Sequence, residues 1–185
     1  MWSIAEANDV VKTIAKAPER IADEYEFRKS IVRMAGPQGL RAMKGMHDEA
    51  LAGEWKGFRS SRLSGQWRVL YRVEAAEVHR AGNAARRSEV MNMATLKSTD
   101  FAPERRHATL TPAKAVRLAR EFQEMTQHEL ATASGVPQPA IASIESGRIP
   151  LGADRAEKLA RALKVHPAVL MWPQWDAERK PRKAG

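Results

Sequence analysis

The sequence contains no cysteine, which excludes disulfides and thiolate metal sites. It has no apolar run approaching the ~18 residues that a membrane-crossing helix needs. No secretory leader opens it. It shows no long basic helix with an aromatic face, the pattern expected of a membrane-surface protein. These absences lead us to expect a soluble, cytoplasmic protein with no metal, no cofactor and no membrane partner. What the chain does have is apolar content, 43% of 185 residues, and positive charge, a formal net +9. The charge is spread over both halves: 17 Lys and Arg against 13 Asp and Glu up to residue 101, and 14 against 9 after it. Such a balance favours a polyanionic partner, nucleic acid first.

The most informative stretch is Thr126 to Gly147, TQHELATASGVPQPAIASIESG. Thr126 is a natural N-cap, and Glu129 three residues later completes a capping box. Gly135 can take the positive φ that ends a first short helix. Val136 plugs the turn. Pro137 and Pro139 stand at or beside the start of a second helix, where a missing N–H costs little. Ile141 and Ile144 face inward, leaving Gln138, Ala142 and Ser143 outward. A short helix with Gln near its N-terminus and small residues on its outer face suits the DNA major groove.

The flanks extend this pattern. Arg117-Leu118 with Arg120, Thr126-Gln127, Leu130-Ala131, Gly135-Val136, Ile141, Ile144-Glu145-Ser146-Gly147, Pro150, Leu159-Ala160 and Ala162 to Val165 together resemble the Cro/CI (XRE) family of five-helix DNA-binding domains. The resemblance covers Thr111 to Leu170. It implies base contacts from Gln138 and Ser143, a DNA contact at Pro139, and phosphate contacts from Gln127 and Arg148. A single such domain covers too little DNA for selectivity, so a homodimer on a two-fold operator is expected.

The N-terminal half reads as a mixed fold. MWSIAEA is a first strand, Asn8 or Asp9 caps a helix through Val10 and Ile14, and Pro18 interrupts it. A second helix carries Ile21, Tyr25, Ile31 and Val32 on one face, with charged residues on the other, and ends at Gly36-Pro37. Residues 40–57 are loop-like. Residues 58–63 and 66–73 form a hairpin, with Trp67, Val69, Tyr71 and Val73 on one face and Arg68, Leu70 and Arg72 on the other. Further strand residues are expected near Val78, and EVMNMATL (89–96) gives a last strand.

The segment LAGEWKGFRSSRLSGQWRVLYRV is similar to the RelE/HigB superfamily of toxin ribonucleases, and the two helices before it fit that small α/β fold. The resemblance covers residues 1–101. It implies ribosome-dependent cleavage of mRNA, in which the ribose 2′-OH attacks the adjacent phosphodiester without a metal. That chemistry needs a base, cations for the developing charge, and an acid for the leaving oxygen. By resemblance, Arg68 stabilises the transition state and Arg62 holds a flanking phosphate. Glu49 is the candidate base, with Asp48 and His47 as adjacent rivals. Lys56 is a further phosphate ligand. Relatives end their last strand in His or Tyr, whereas this chain reads Leu96-Lys97-Ser98-Thr99-Asp100-Phe101, leaving Lys97 to donate a proton and Phe101 to stack. Losing a general acid typically costs about 10²–10⁴-fold.

The expected class is therefore α+β. A RelE-like domain at 1–101, with two helices and a small antiparallel sheet, is followed by a linker at 102–110. An all-α five-helix domain at 111–173 and a basic tail at 174–185 complete the chain. The order resembles the HigB–HigA arrangement joined in one polypeptide. Two functions follow: a fused toxin–antitoxin, with an mRNA endoribonuclease restrained by an autorepressing DNA-binding half, or a DNA-binding repressor whose N-terminal half is inactive and serves in dimerisation or RNA contact. A third branch, resembling the gyrase-directed ParE toxins, fits Lys56 and Arg68 less well. Trp172 and Trp175 are expected to pack against a dimer partner or the N-terminal half.

Overall fold

The computed structural model describes residues 2–74, 77–80, 101–103 and 105–175. The first strand, β1 (Ser3–Ala7), runs straight into α1 (Asn8–Ala15). Ala7 occupies the N-cap position without a side-chain bond, so Asn8 and Asp9 lie in the first turn rather than before it. Asp9 there still complements the helix dipole. Pro18 caps α2 (Glu19–Ala35), and Gly36 ends it at φ 70°. A Cβ at Gly36 would stand 2.6 Å from the Trp2 indole nitrogen, so glycine is required there for space as well as for conformation.

After a one-turn helix α3 (Gln38–Arg41) and a 3₁₀ turn at Lys44–Met46, the chain builds a sheet from β2 (Glu49–Ala50), β3 (Phe58–Arg62), β4 (Arg68–Glu74), β5 (Glu77–Arg80) and β6 (Phe101–Pro103), with a second 3₁₀ turn, Gly53–Trp55, between β2 and β3. The strand order is β2-β3-β4-β5-β1-β6. Every pairing is antiparallel except β1 with β5. The strand expected near Val78 is β5; that expected at 89–96 lies outside the described residues. Val69 and Tyr71 face the core as their alternation requires, while Val73 is 42% exposed.

The C-terminal part is helical: α4 (Pro112–Phe122), α5 (Gln127–Ser134), α6 (Gln138–Glu145), α7 (Ala153–Leu163) and α8 (Pro167–Met171). Thr111 caps α4 and His166 caps α8 through side-chain bonds to Lys114 N and Ala168 N. Ala115, Leu118, Ala119 and Phe122 of α4 are buried with Ala156, Leu159, Ala160 and Leu163 of α7. No described helix is long and apolar enough to cross a membrane.

The position of α2 departs from the sequence expectation. Its charged face is not solvated. Glu24, Glu26, Arg28 and Lys29 are buried, because α2 lies between the sheet and the C-terminal helices, packing on β1, α4 and α8. The hydrophobic core is continuous across that seam, running from Ile4, Phe27, Ile31 and Tyr71 into Leu118, Phe122, Leu163 and Leu170. The Phe27 and Phe122 rings stack at 6.0 Å and 9°. Arg28 covers Phe122 with its guanidinium carbon 4.5 Å from the ring centroid, and its Nε donates to Ser61 Oγ. Gln123 Nε2 donates to the carbonyls of Ala42 and Leu163, tying both sides together.

The described residues of the segment expected as a linker at 102–110 are bonded to the N-terminal half. Residues 102 and 103 pair with β1. Arg105 N and His107 Nε2 meet Glu6 Oε2, His107 N donates to Glu26 Oε1, and Leu110 is buried. Glu6 is the centre of this knot, also accepting from Tyr25 Oη and Lys29 Nζ. Burial alone pushes its carboxyl up, but the His107 hydrogen bond, the Lys29 charge and the Arg105 N–H outweigh it and hold the pKa at about 2. A depressed folded-state value means that the stabilisation is fully present above the unfolded value, near 4.5, and is lost as pH falls through about 2. The shift corresponds to ~3 kcal/mol. Urea unfolding of wild type and Glu6→Gln should therefore show a gap near neutral pH that narrows steadily below about pH 4.5. A pH-independent gap would contradict this.

Candidate nucleic-acid interface

The turn between α5 and α6 forms as its residues dictate. Thr126 Oγ1 accepts from Glu129 N, and the Glu129 carboxylate accepts from Thr126 N at 2.7 Å, giving the full capping box. Gly135 adopts φ 71°, and Val136, Ile141 and Ile144 are buried beneath the turn. With those isoleucines inward, α6 turns Pro139 to solvent and leaves Gln138, Ala142 and Ser143 part-exposed. Arg148 is exposed just beyond, its backbone N–H bonded to Ser143 O at 2.9 Å.

A polar chain fixes the start of α6. Arg120 of α4 grips Glu145 with Nε at 2.7 Å and Nη2 at 2.9 Å, and its Nη1 caps Met125 O. Gln127 Nε2 donates to Glu145 Oε2 at 2.9 Å, and Gln138 Nε2 donates to Gln127 Oε1 at 2.9 Å. Two planar side-chain amides are thus held side by side at the head of α6. Gln127, expected on a phosphate, stands here as the link that orients Gln138. Sequence reasoning gave Arg120 and Glu145 no role, although a basic and an acidic residue at matching positions of adjacent helices was a usable signal. α5 and α6 pack on α4 and α7, whereas α2 packs on α4 and α8, so the N-terminal half lies behind the surface that carries Gln138 and Pro139.

A second polar cluster lies on the sheet. Cross-strand register places Glu49 opposite Ser60 and Arg62 opposite Arg68, so all four leave one face. Arg68 Nη1 donates to Ser60 Oγ at 2.9 Å and stands 3.9 Å from Glu49 Oε2, with side chains 40% and 61% exposed. The opposite face, carrying Ser61, Val69 and Tyr71, is the one α2 covers. Arg68 and Glu49 thus stand on the sheet face that α2 does not cover and remain open to solvent. Arg62, at the end of β3, lines a groove at the seam. Lys56 follows a 3₁₀ turn and is exposed, away from any described bond to Arg68. Lys97 lies outside the described residues.

Burial separates the three neighbouring residues His47, Asp48 and Glu49. The Asp48 side chain is fully buried and accepts from Arg59 Nε, Arg59 Nη2 and Tyr71 Oη. Its own burial and the Asp48 hydrogen bond push the Tyr71 hydroxyl well above its ordinary value. Asp48 is thus a structural anchor, and His47, at φ 42°, closes a 3₁₀ turn. Glu49 alone of the three stands exposed beside Arg68. Among the described residues, no group of acidic or histidine side chains is arranged to hold a metal.

With this geometry established, comparison with known proteins places a helix-turn-helix domain at residues 116–170, where the family model described as "Helix-turn-helix" matches. No curated protein matches the chain. Among solved structures, the chain is similar to the restriction-modification controller protein C.AhdI from Aeromonas hydrophila, at 27% identity and a TM-score of 0.32. That match covers 32% of this chain and 91% of the other. It is also similar to the P22 c2 repressor protein, solved in complex with synthetic operator 9T, at 23% identity and a TM-score of 0.34. Here the cover is 36% of this chain and all of the other.

Proposed function

We propose that this protein is a DNA-binding transcriptional repressor that acts as a dimer on a two-fold operator, including one at its own gene. The observation that carries the reading is α6, whose outward face offers Pro139 and Ser143 beside a Gln138 amide pre-set by Gln127, Glu145 and Arg120. A side-chain amide held in this way suits the paired donor and acceptor of an adenine edge. Arg148, exposed just beyond α6, suits a phosphate. Binding-site selection from random DNA should yield a two-fold sequence. Gln138→Ala should lose about 1–3 kcal/mol of discrimination at one base of each half-site. Arg148→Ala should weaken binding to all sequences alike and lower the salt dependence by about one ion. Equal loss at every base for Gln138→Ala would sink the assignment.

A second reading is favoured by the juxtaposition of Arg68, Glu49 and Arg62 on one open face. It makes the N-terminal half a RelE/HigB-like endoribonuclease acting on ribosome-bound mRNA, with Glu49 as base and Arg68 on the scissile phosphate, in a fused toxin–antitoxin protein. Because that face is open to solvent, restraint would act through α2 rather than by steric masking. If the nuclease is live, residues 1–101 alone cut mRNA while the full chain does not, and Arg68→Ala within residues 1–101 lowers cutting at least 100-fold, the scale of losing a transition-state charge partner. Intact mRNA with soluble residues 1–101 leaves the repressor reading alone.

A further inference from the structure

A cleft of about 540 Å³ opens between the end of α1 and the turn that joins β3 to β4. Lys12 and Thr13 of α1, Lys16 at its C-cap, Pro18, Gln66 and Trp67 line it. That volume lies in the range of small-molecule sites. Lys12 and Lys16 are four residues apart, so their side chains leave the same face of the helix, one turn from each other. Both are exposed. Among the described residues neither side chain has an ion pair or a hydrogen bond, whereas Lys114 and Lys158 are each paired with carboxylates. The end of α1 does not occupy them either, because Thr13 O and Ile14 O already accept from Lys16 N and Ala17 N. Among the described residues no carboxylate lines the cleft. Its wall is Trp67, half-buried against the core cluster that includes Val10, Ile14 and Val69. The Trp67 carbonyl accepts from Leu63 N at 2.8 Å and Ser64 N at 3.2 Å, which fixes the turn that carries the ring.

We propose that this cleft binds a nucleoside phosphate, with the phosphate on Lys12 and Lys16 and the base against the Trp67 indole. Two ammonium groups with no carboxylate between them select an anion, and their bonds to phosphate oxygens are charge-assisted. A fixed indole selects a flat ring, and nucleobases stack on aromatic side chains whatever their identity. The Gln66 amide and the Thr13 hydroxyl offer both donors and acceptors to the base edge or the sugar. An aliphatic phosphate would use the lysines alone and a neutral aromatic the indole alone, whereas a nucleoside phosphate uses both. A free nucleotide and one residue of a single strand present the same chemistry. Trp67 packs with Val69, on the side of the sheet away from Arg68 and Glu49, and no residue of the helix-turn-helix lines the cleft. The site is therefore separate from both surfaces described above, and its test does not depend on operator binding or on cleavage of RNA.

The test is calorimetric titration of the full chain with ADP, with a five-residue oligodeoxyadenylate, and with adenosine. Saturable one-to-one binding is expected, at least tenfold weaker for adenosine, which lacks the phosphate. Binding of ADP assigns a free nucleotide and binding of the oligonucleotide alone assigns a strand; both support the site. The double substitution Lys12→Ala with Lys16→Ala should weaken binding at least tenfold. Lys158→Ala on α7 and Arg148→Ala beyond α6 should leave it unchanged. Thermal unfolding checks that the double variant is folded, and the comparison of adenosine with its phosphates needs no variant. Failure of both phosphate ligands to bind, adenosine binding as tightly as they do, indifference to the double substitution, or an equal loss from Lys158→Ala or Arg148→Ala would each overturn the inference.

Discussion

Replacing Lys29 with alanine is expected to cost about 3–5 kcal/mol, the scale of stranding a buried charge. Lys29 is fully buried and bridges Glu6 at 3.2 Å and Glu26 at 2.7 Å. Its Nζ also donates to the carbonyl of Arg105, and it stands 5.2 Å from the centre of the Tyr25 ring. Truncation removes the cation that Glu6 and Glu26 share, in a low-dielectric site where repulsion between the two carboxylates is poorly screened. The whole stability of a domain is only about 5–15 kcal/mol, so this one change uses a large share of it. Urea unfolding should show a lower midpoint at an unchanged slope. The control is Lys158→Ala. Its pair with Asp154 is geometrically good at 3.0 Å but exposed, 49% and 78%, and its loss should be at the limit of detection, below about 0.5 kcal/mol. If both substitutions cost the same, the buried network does not hold the N-terminal half as described.

Phe122→Ala should cost a further distinct ~3–5 kcal/mol, the range for deleting a buried ring. Its particular consequence is where the loss is felt. Phe122 belongs to α4 of the helix-turn-helix side, but it stacks on Phe27 and lies beneath Arg28, both of α2. Gly45 also backs closely onto the Phe122 backbone, a Cβ there meeting Phe122 O at 3.1 Å. Hydrogen exchange should therefore show protection falling in α2 and α4 together, in one cooperative step. Loss confined to residues 112–171 would mean that the two halves unfold independently and that the seam is a contact rather than a core.

The contrast between the halves explains what the sequence made readable. The helix-turn-helix announces itself locally. Thr126 and Glu129 sit three apart, Gly135 must take positive φ, and Ile141 and Ile144 fix which face of α6 is inward. Each signal lies within a few residues of the structure it determines. The buried face of α2 does not work that way. Glu26, Arg28 and Lys29 read only as part of a charged face because their partners, Glu6, Ser61, Arg105 and His107, lie 23 to 81 residues away in the chain. Only the fold reveals that the charge is matched. The triplet His47, Asp48 and Glu49 shows the same limit at the scale of single residues. Composition makes the three rivals equal, whereas the register of β2 on β3 turns Glu49 outward, and Arg59 and Tyr71 hold Asp48 inward. Similarly, Gln127 and Gln138 were legible as polar residues at helix starts, but the chain of bonds from Arg120 through Glu145 that aligns them depends on how α4 crosses α6.

The central claim is that α6 reads a specific operator, and the most direct measurement is a protection footprint of the full chain on the DNA upstream of its own coding sequence, at fixed salt. The account predicts a two-fold protected site with half-sites about one helical turn, ~34 Å, apart, where α6 of each copy enters adjacent major grooves. Gln138→Ala should lose that footprint while still retarding DNA weakly at low salt. Uniform, salt-labile retardation with no protected site, the same for wild type and Gln138→Ala, would contradict it and reduce the protein's affinity for DNA to its positive charge.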